Sequence, residues 1–215
     1  MSLSLQAVGI DKSYNSNPVL QGSSWSFAEN GIYVLTGANG CGKSTFLRIC
    51  ALLERPDRGA VSFFDKGKAV ESNIALMRRM TLVLPKAGLF NMSVSRNVSY
   101  GLSIRGISGK EAADRTECIL EFVGLSHKKD QNALTLSSGE SQRIGIARAL
   151  IIDPEILFLD EPTASIDEKN IKIIENIIQQ LKQQGRTTVI LTTHDRAQAE
   201  RLADRVLLLE KGRIV

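Results

Sequence analysis

Residues 37–45 read Gly-Ala-Asn-Gly-Cys-Gly-Lys-Ser-Thr, and Gly37 to Ser44 satisfies G-x-x-x-x-G-K-[ST] in full. A loop of this kind dictates the fold around it. Gly37, Gly40 and Gly42 let the backbone bend tightly, so successive N–H groups, those of Asn39 and Cys41 included, can turn toward phosphate oxygens. Lys43 supplies a point charge for the outer phosphates. Ser44 offers a hydroxyl to Mg²⁺, and Thr45 a second one nearby. The flanks agree with this reading. Ile32 to Thr36 is a short buried-strand pattern, and Ser44 to Leu53 reads as a helix whose N-terminal dipole favours a bound anion.

Composition narrows the field without deciding it. The 215 residues are 43% hydrophobic and 23% charged, an ordinary globular balance with room for a sizeable core. The net charge of +4 suits nucleotide phosphates, nucleic acid or an anionic membrane surface, and is too small to choose among them. The basic pairs Arg78-Arg79 and Lys128-Lys129 are isolated and read as solvated surface. No stretch approaches the roughly 18 apolar residues of a membrane span. The N-terminus lacks the basic start and apolar core of a secretory signal. Cys41, Cys50 and Cys118 have no metal-ligand spacing, so reduced thiols are expected. Cys41 reads as a small residue filling a variable loop position, ahead of a redox-sensitive thiol.

Residues 3–10 and 19–28 pattern as strands. Ala60 to Phe64 follows the turn Pro56-Asp57-Arg58-Gly59 as another, and Met80 to Leu84 is a short strand stopped by Pro85. From about residue 86 to 152 the texture is helical, with turns at Gly106–Gly109 and Gly124–Leu125. Ile119, Leu120, Phe122 and Val123 give segment 110–123 an apolar face. This block reads as a helical subdomain inserted into an α/β core of residues 1–85 and 153–215, the whole being one domain. Ile156–Leu159, Thr187–Leu191 and Arg205–Leu209 are buried-strand patterns, and Ile171, Ile174, Ile178 and Leu181 recur at helical spacing, widened by Ile173 and Ile177. Continuous apolar strands joined through helices imply a parallel sheet covered on both faces.

Three further motifs carry chemistry. Asp160-Glu161 ends the strand Ile156–Leu159. There a carboxylate can hold Mg²⁺ beside a phosphate loop, and its neighbour can polarise an attacking water. His194 ends another strand, at the sheet edge where open parallel sheets bind ligands, and can contact an outer phosphate. Leu136-Ser137-Ser138-Gly139-Glu140 precedes a helix running to about Ile152. Ser137 has N-cap character, and that helix start is a second potential anion site.

In this order the motifs resemble the ATP-binding cassette (ABC) ATPases, over essentially the whole chain. Leu136–Glu140 looks like the family's signature, usually Leu-Ser-Gly-Gly-Gln, continued by Gln142 to Leu150. Ile156–Glu161 resembles Walker B with its catalytic carboxylate, Ala164-Ser165-Ile166-Asp167 the D-loop, and Thr193-His194-Asp195 the switch histidine. Tyr14 sits where the family stacks an aromatic ring on adenine. The resemblance implies a P-loop NTPase fold: a parallel-sheet core, an N-terminal antiparallel β subdomain and an inserted α-helical subdomain. It implies ATP and Mg²⁺ as ligands. Two copies would meet head to tail, with Ser137, Ser138, Gly139 and Glu140 of one facing the phosphate loop of the other. Ser44 and Asp160 would serve Mg²⁺, Glu161 would act as general base, and His194 would sit on the γ-phosphate.

Two departures stand out. Where the family usually places Gln at the junction of core and helical block, counting back from Phe90 gives Pro85. Proline has no side-chain amide and no N–H, so slowed or weakly coupled hydrolysis is expected. Ser138 replaces a signature glycine and costs dimer closure only where a left-handed backbone is needed. The segments Arg78–Val83, Leu89–Val94 and Asn97–Leu102 resemble cassettes of oxyanion importers, tungstate or molybdate first and phosphate next. The expected partners are a separate transmembrane permease, a second copy and a solute-binding protein, with no nucleic acid. The expected location is cytoplasmic, held on the inner face of the cell membrane through the permease. With the short end at Val215, no appended regulatory domain is expected. An export or lipoprotein-release cassette, a soluble ABC ATPase of DNA repair or translation, and a regulatory module without useful catalysis are the competing readings.

Overall fold

The computed structural model describes residues 3–215. Its N-terminal sheet is antiparallel, with order β2-β1-β4-β5. The strands are β1 (Leu3–Tyr14), β2 (Asn17–Phe27), β4 (Arg58–Asp65) and β5 (Lys68–Val70). The central sheet has six strands in the order β10-β9-β3-β8-β7-β6. These are β3 (Ile32–Thr36), β6 (Met80–Val83), β7 (Ile156–Asp160), β8 (Thr188–Thr193), β9 (Arg205–Glu210) and β10 (Arg213–Ile214). All neighbouring pairs are parallel except β9 and β10.

The absence of alternation in these strands has a direct cause. Val34, Leu157, Leu159, Val189 and Leu191 point into one buried cluster, while Leu35, Ile156, Phe158 and Ile190 point into another. Both faces are therefore dry, and each strand is apolar throughout. Helix α6 (Glu168–Gln184) covers one face with Ile174, Ile177, Ile178 and Leu181, and Ile173 packs against them; Ile171, expected in the stripe, is only partly buried and lies outside the cluster. Helix α1 (Lys43–Cys50) covers the other with Phe46, Leu47 and Ile49.

Between β6 and β7 lie α3 (Val94–Ile104), α4 (Gly109–Phe122) and α5 (Ser138–Leu150), with two short 3₁₀ turns before α5. Leu120 and Val123 bury the face expected of segment 110–123. Residues 84–93 are irregular, so the helical texture begins later than the sequence suggests. Several boundaries also move. Strand β1 runs to Tyr14, β6 stops at Val83, and β4 begins inside the expected turn, at Arg58. Helix α1 ends at Cys50, three residues short of Leu53. The Leu53 amide donates to the Arg48 carbonyl and Leu52 to Ile49, with Leu52 left-handed at φ 59°. This is a Schellman closure with leucine where glycine is usual, and the apolar run hides it.

Candidate active site

Sheet register builds the site. Thr36 of β3 pairs with Thr193 of β8, and Asp160 of β7 pairs with Thr192. The loop after β3, the pair Asp160-Glu161 and His194 therefore leave the sheet at one edge. Here Tyr14, Val19, Asn39, Gly40, Gly42, Lys43, Ser44, Thr45, Pro85, Glu161 and His194 line a cleft of about 640 Å³. Gly37 and Cys41 instead line an adjoining cleft with Asn39, His194 and Arg196. Gly37 has φ 153°, and a Cβ there would strike the Leu209 carbonyl and lie 2.8 Å from Cys41 Sγ. The Cys41 thiol packs beneath the turn as a filler. Cys50 is fully buried, and burial pushes its thiol pKa far up.

Lys43 is only 6% exposed. Its ammonium donates to the carbonyls of Gly37 (2.9 Å) and Ala38 (3.2 Å) and lies 3.5 Å from Glu161 Oε1. Asp160, 2% exposed, accepts on Oδ1 from the hydroxyls of Ser44 and Thr192, both at 2.8 Å. The Thr192 hydroxyl also accepts from the Glu161 amide at 2.9 Å. Glu161 sits in the left-handed region at φ 47°, a strained backbone that such a network must hold in place. Its Oε2 is 2.9 Å from His194 Nδ1. A carboxylate accepts only, so Nδ1–H donates. The buried carboxylate of Asp160 and the partly buried hydroxyl of Ser44 are hard oxygen donors, a set that fits Mg²⁺ and not a soft metal.

The signature segment lies outside this cleft. Ser138 lines a neighbouring one of about 380 Å³ with Pro85, Ala164, Ser165 and Gln142. Ser137 caps α5 with a reciprocal capping box. Its Oγ accepts from the Glu140 amide at 3.3 Å, and its amide donates to Glu140 Oε2 at 3.0 Å. Lys128 Nζ is 2.6 Å from Glu140 Oε1. The Lys128 bond, then the bonds from Ser137, hold the Glu140 carboxyl below its ordinary range against the opposing effect of burial. Gly139 has no room for a side chain, because a Cβ would fall on Asn170 of α6.

The ABC transporter family model matches residues 20–164. This chain belongs to that family. As a P-loop member it is an ATP-hydrolysing ABC subunit, and the family implies ATP and Mg²⁺ binding. It is 34% identical to a phosphate import ATP-binding protein, PstB 2, of Natronomonas pharaonis, over 98% of this chain and 78% of that one. Identity is 35% to the tungstate uptake ATP-binding protein TupC of Peptoclostridium acidaminophilum, covering 95% and 94%. It is also 35% to a probable amino-acid ABC transporter ATP-binding protein of Haemophilus influenzae, covering 98% and 86%. Among solved structures, cbiO1 of Clostridium perfringens, part of the ABC transporter complex cbiONQ, superposes with a TM-score of 0.86 at 26% identity, covering 98% and 86%.

Within this ABC ATPase the two departures take on physical form. Ser138 is the first residue of α5 and has no left-handed backbone, so it carries no penalty relative to glycine. Pro85 lines the cleft beside Lys43, Glu161 and His194 and offers no polar side chain there. The loop it opens is fastened to α5: Gln142 Nε2 donates to the Leu84 carbonyl at 3.4 Å, and Arg148 donates to the carbonyls of Ala87 and, at 3.1 Å, Gly88. Thr192, which ties Asp160 to Glu161, is absent from the motif reading. Its only sequence signal is a hydroxyl at the end of an apolar strand beside two acids.

Proposed function

We propose that this chain is the ATP-binding and ATP-hydrolysing subunit of an importer of an oxyanion such as tungstate or molybdate, powering a separate membrane permease. The observation that carries the ATPase assignment to these residues is the convergence of Lys43, Ser44, Glu161 and His194 on one cleft, with Asp160 accepting from Ser44, through the register of β3, β7 and β8. Loop amides and Lys43 bind the phosphates, and Tyr14 stacks on the base. Ser44 and Asp160 would hold Mg²⁺, whose charge would offset that of the outer phosphates. Glu161 takes a proton from the attacking water while His194 orients the carboxylate and contacts the γ-phosphate. ADP and phosphate are the products. The signature residues Ser137, Ser138, Gly139 and Glu140 lie outside their own chain's cleft, which agrees with their serving a second copy head to tail.

Among the described residues no helix is long and apolar enough to cross a membrane, and the reading assigns the crossing to a permease. Phosphate and tungstate relatives support an oxyanion. An amino-acid relative of equal identity makes the solute the part to test directly. Glu161→Gln is expected to lower turnover by about 100-fold or more while keeping ATP binding. Turnover that survives this change would overturn the assignment of the general base. Purification of the tagged chain in mild detergent should bring down a multi-span membrane protein, and that complex should import radiolabelled tungstate or molybdate. Recovery of DNA or ribosomal proteins alone would overturn the transport reading.

A further inference from the structure

The end of the cleft away from Glu161 contains a set of side-chain contacts that the chemistry above does not use. The Tyr14 hydroxyl donates to Glu54 Oε1. The other Glu54 oxygen accepts from Arg48 Nε at 3.2 Å. Arg48 Nη2 in turn reaches Thr45 Oγ1 at 3.4 Å, one turn earlier in α1, the helix that leaves the phosphate loop. Lys12 Nζ lies 3.7 Å from Glu54 Oε1 and 3.3 Å from Asp57 Oδ1, and 5.6 Å from the centre of the Tyr14 ring. Burial opposes charge on Glu54. The hydrogen bonds from Tyr14 and Arg48 and the charges of Arg48 and Lys12 outweigh it, and its carboxyl is held below the ordinary range.

These contacts fix the ring at two points. Its Cα belongs to the end of β1, and its hydroxyl is tied to the loop after α1. Lys12 lies over the ring, and Tyr14 itself lines the cleft. A ring held in this way has little rotamer freedom left to lose when a ligand stacks on it.

We propose that Glu54 is a positioning residue: by bridging Tyr14 and Arg48 it ties the aromatic platform to Thr45, where α1 leaves the phosphate loop, and sets the spacing between a stacked purine and its phosphates. This rests on the nucleotide reading of the cleft given above. Glu54 touches no ligand itself. Its role is to make the base half and the phosphate half of the site one rigid unit.

The test is calorimetric titration of the full chain with ATP and with inorganic tripolyphosphate, which has the charges but no base. Tyr14→Phe removes a single oxygen from an exposed ring, and Glu54→Gln keeps the shape of the carboxylate. Each is expected to weaken ATP binding about fivefold, the loss of one charge-assisted hydrogen bond, with tripolyphosphate affinity unchanged. The double variant should bind ATP no more weakly than the worse single variant, because both changes cut the same bridge. Two results would overturn the proposal: variants that bind ATP like the wild type while Lys43→Ala has lost it, or losses that multiply in the double variant. The first leaves the nucleotide site standing and the bridge idle. Failure of the wild-type chain to bind ATP at all would instead overturn the nucleotide reading, and the proposal with it.

Discussion

At the phosphate end of the cleft, Lys43, Asp160 and Thr192 are 6%, 2% and 0% exposed, and each is held by backbone carbonyls, strand ends or hydroxyls from the central sheet. At the base end, Tyr14 is 40% exposed and is held by long charged side chains from the loop after α1 and from β1. The first region is fixed by main chain and register, the second by side-chain tethers that water can loosen. Changes at the phosphate end should therefore cost stability as well as chemistry. Changes at the base end should cost mainly affinity and little stability.

The sharpest way to break this contrast is Gly37→Ala. The new methyl meets the Leu209 carbonyl at a backbone angle that alanine rarely adopts, so a loss of about 3 kcal/mol or more is expected. Calorimetry would read it as a drop in Tm of about 6–12 °C for a domain of this size. Thr192→Val comes next. It leaves Asp160 and the Glu161 amide without their shared hydroxyl, at about 1–3 kcal/mol, and denaturant melts should show it. Tyr14→Ala should weaken ATP about tenfold, the scale of one lost base stack, with Tm moved by no more than about 1–3 °C. A Tm drop equal to that of Thr192→Val would erase the distinction between the two ends.

The smallest effect concerns pH. The Glu54 carboxyl titrates below its ordinary value in the folded chain. Its stabilising contribution is therefore complete above the ordinary carboxylate pKa of about 4.3, and is lost as pH falls through the depressed value. Wild type and Glu54→Gln should differ by only about 1–3 °C in Tm, scaled to a partly exposed pair. That gap should stay flat from pH 8 to 5 and close only in acid. A gap that changes around neutral pH would place the tether on some other group.

The same contrast explains what the sequence discloses. Gly37–Thr45, Asp160-Glu161 and His194 are legible because each sits where an apolar strand ends, and strand ends in a parallel sheet share an edge. The doubly buried strands were readable for the same reason, since a strand dry on both faces cannot alternate. Glu54 and Arg48 were not readable. They are ordinary charged residues at a helix end, and only the turn at Leu52 brings Glu54 back toward Tyr14, forty positions earlier. That turn was itself hidden, because leucine occupies a position where glycine usually signals it. Pro85 is legible as a missing amide, whereas the fastening of its loop by Gln142 and Arg148 involves backbone carbonyls, which leave no trace in residue type.

The pairing of Thr36 with Thr193 and of Asp160 with Thr192 has a consequence for how the chain matures. The phosphate loop is made early in synthesis, but its partners Asp160, Thr192 and His194 come from the last quarter or so of the sequence. A nascent chain that has emerged only through the helical block carries the motif without the site. Nucleotide capture then becomes a report that the central sheet has closed, and a bound nucleotide should act as a lock on the finished fold, raising its stability in proportion to the logarithm of its concentration. The most recognisable nine residues of the molecule lack their partners until β7 and β8 arrive.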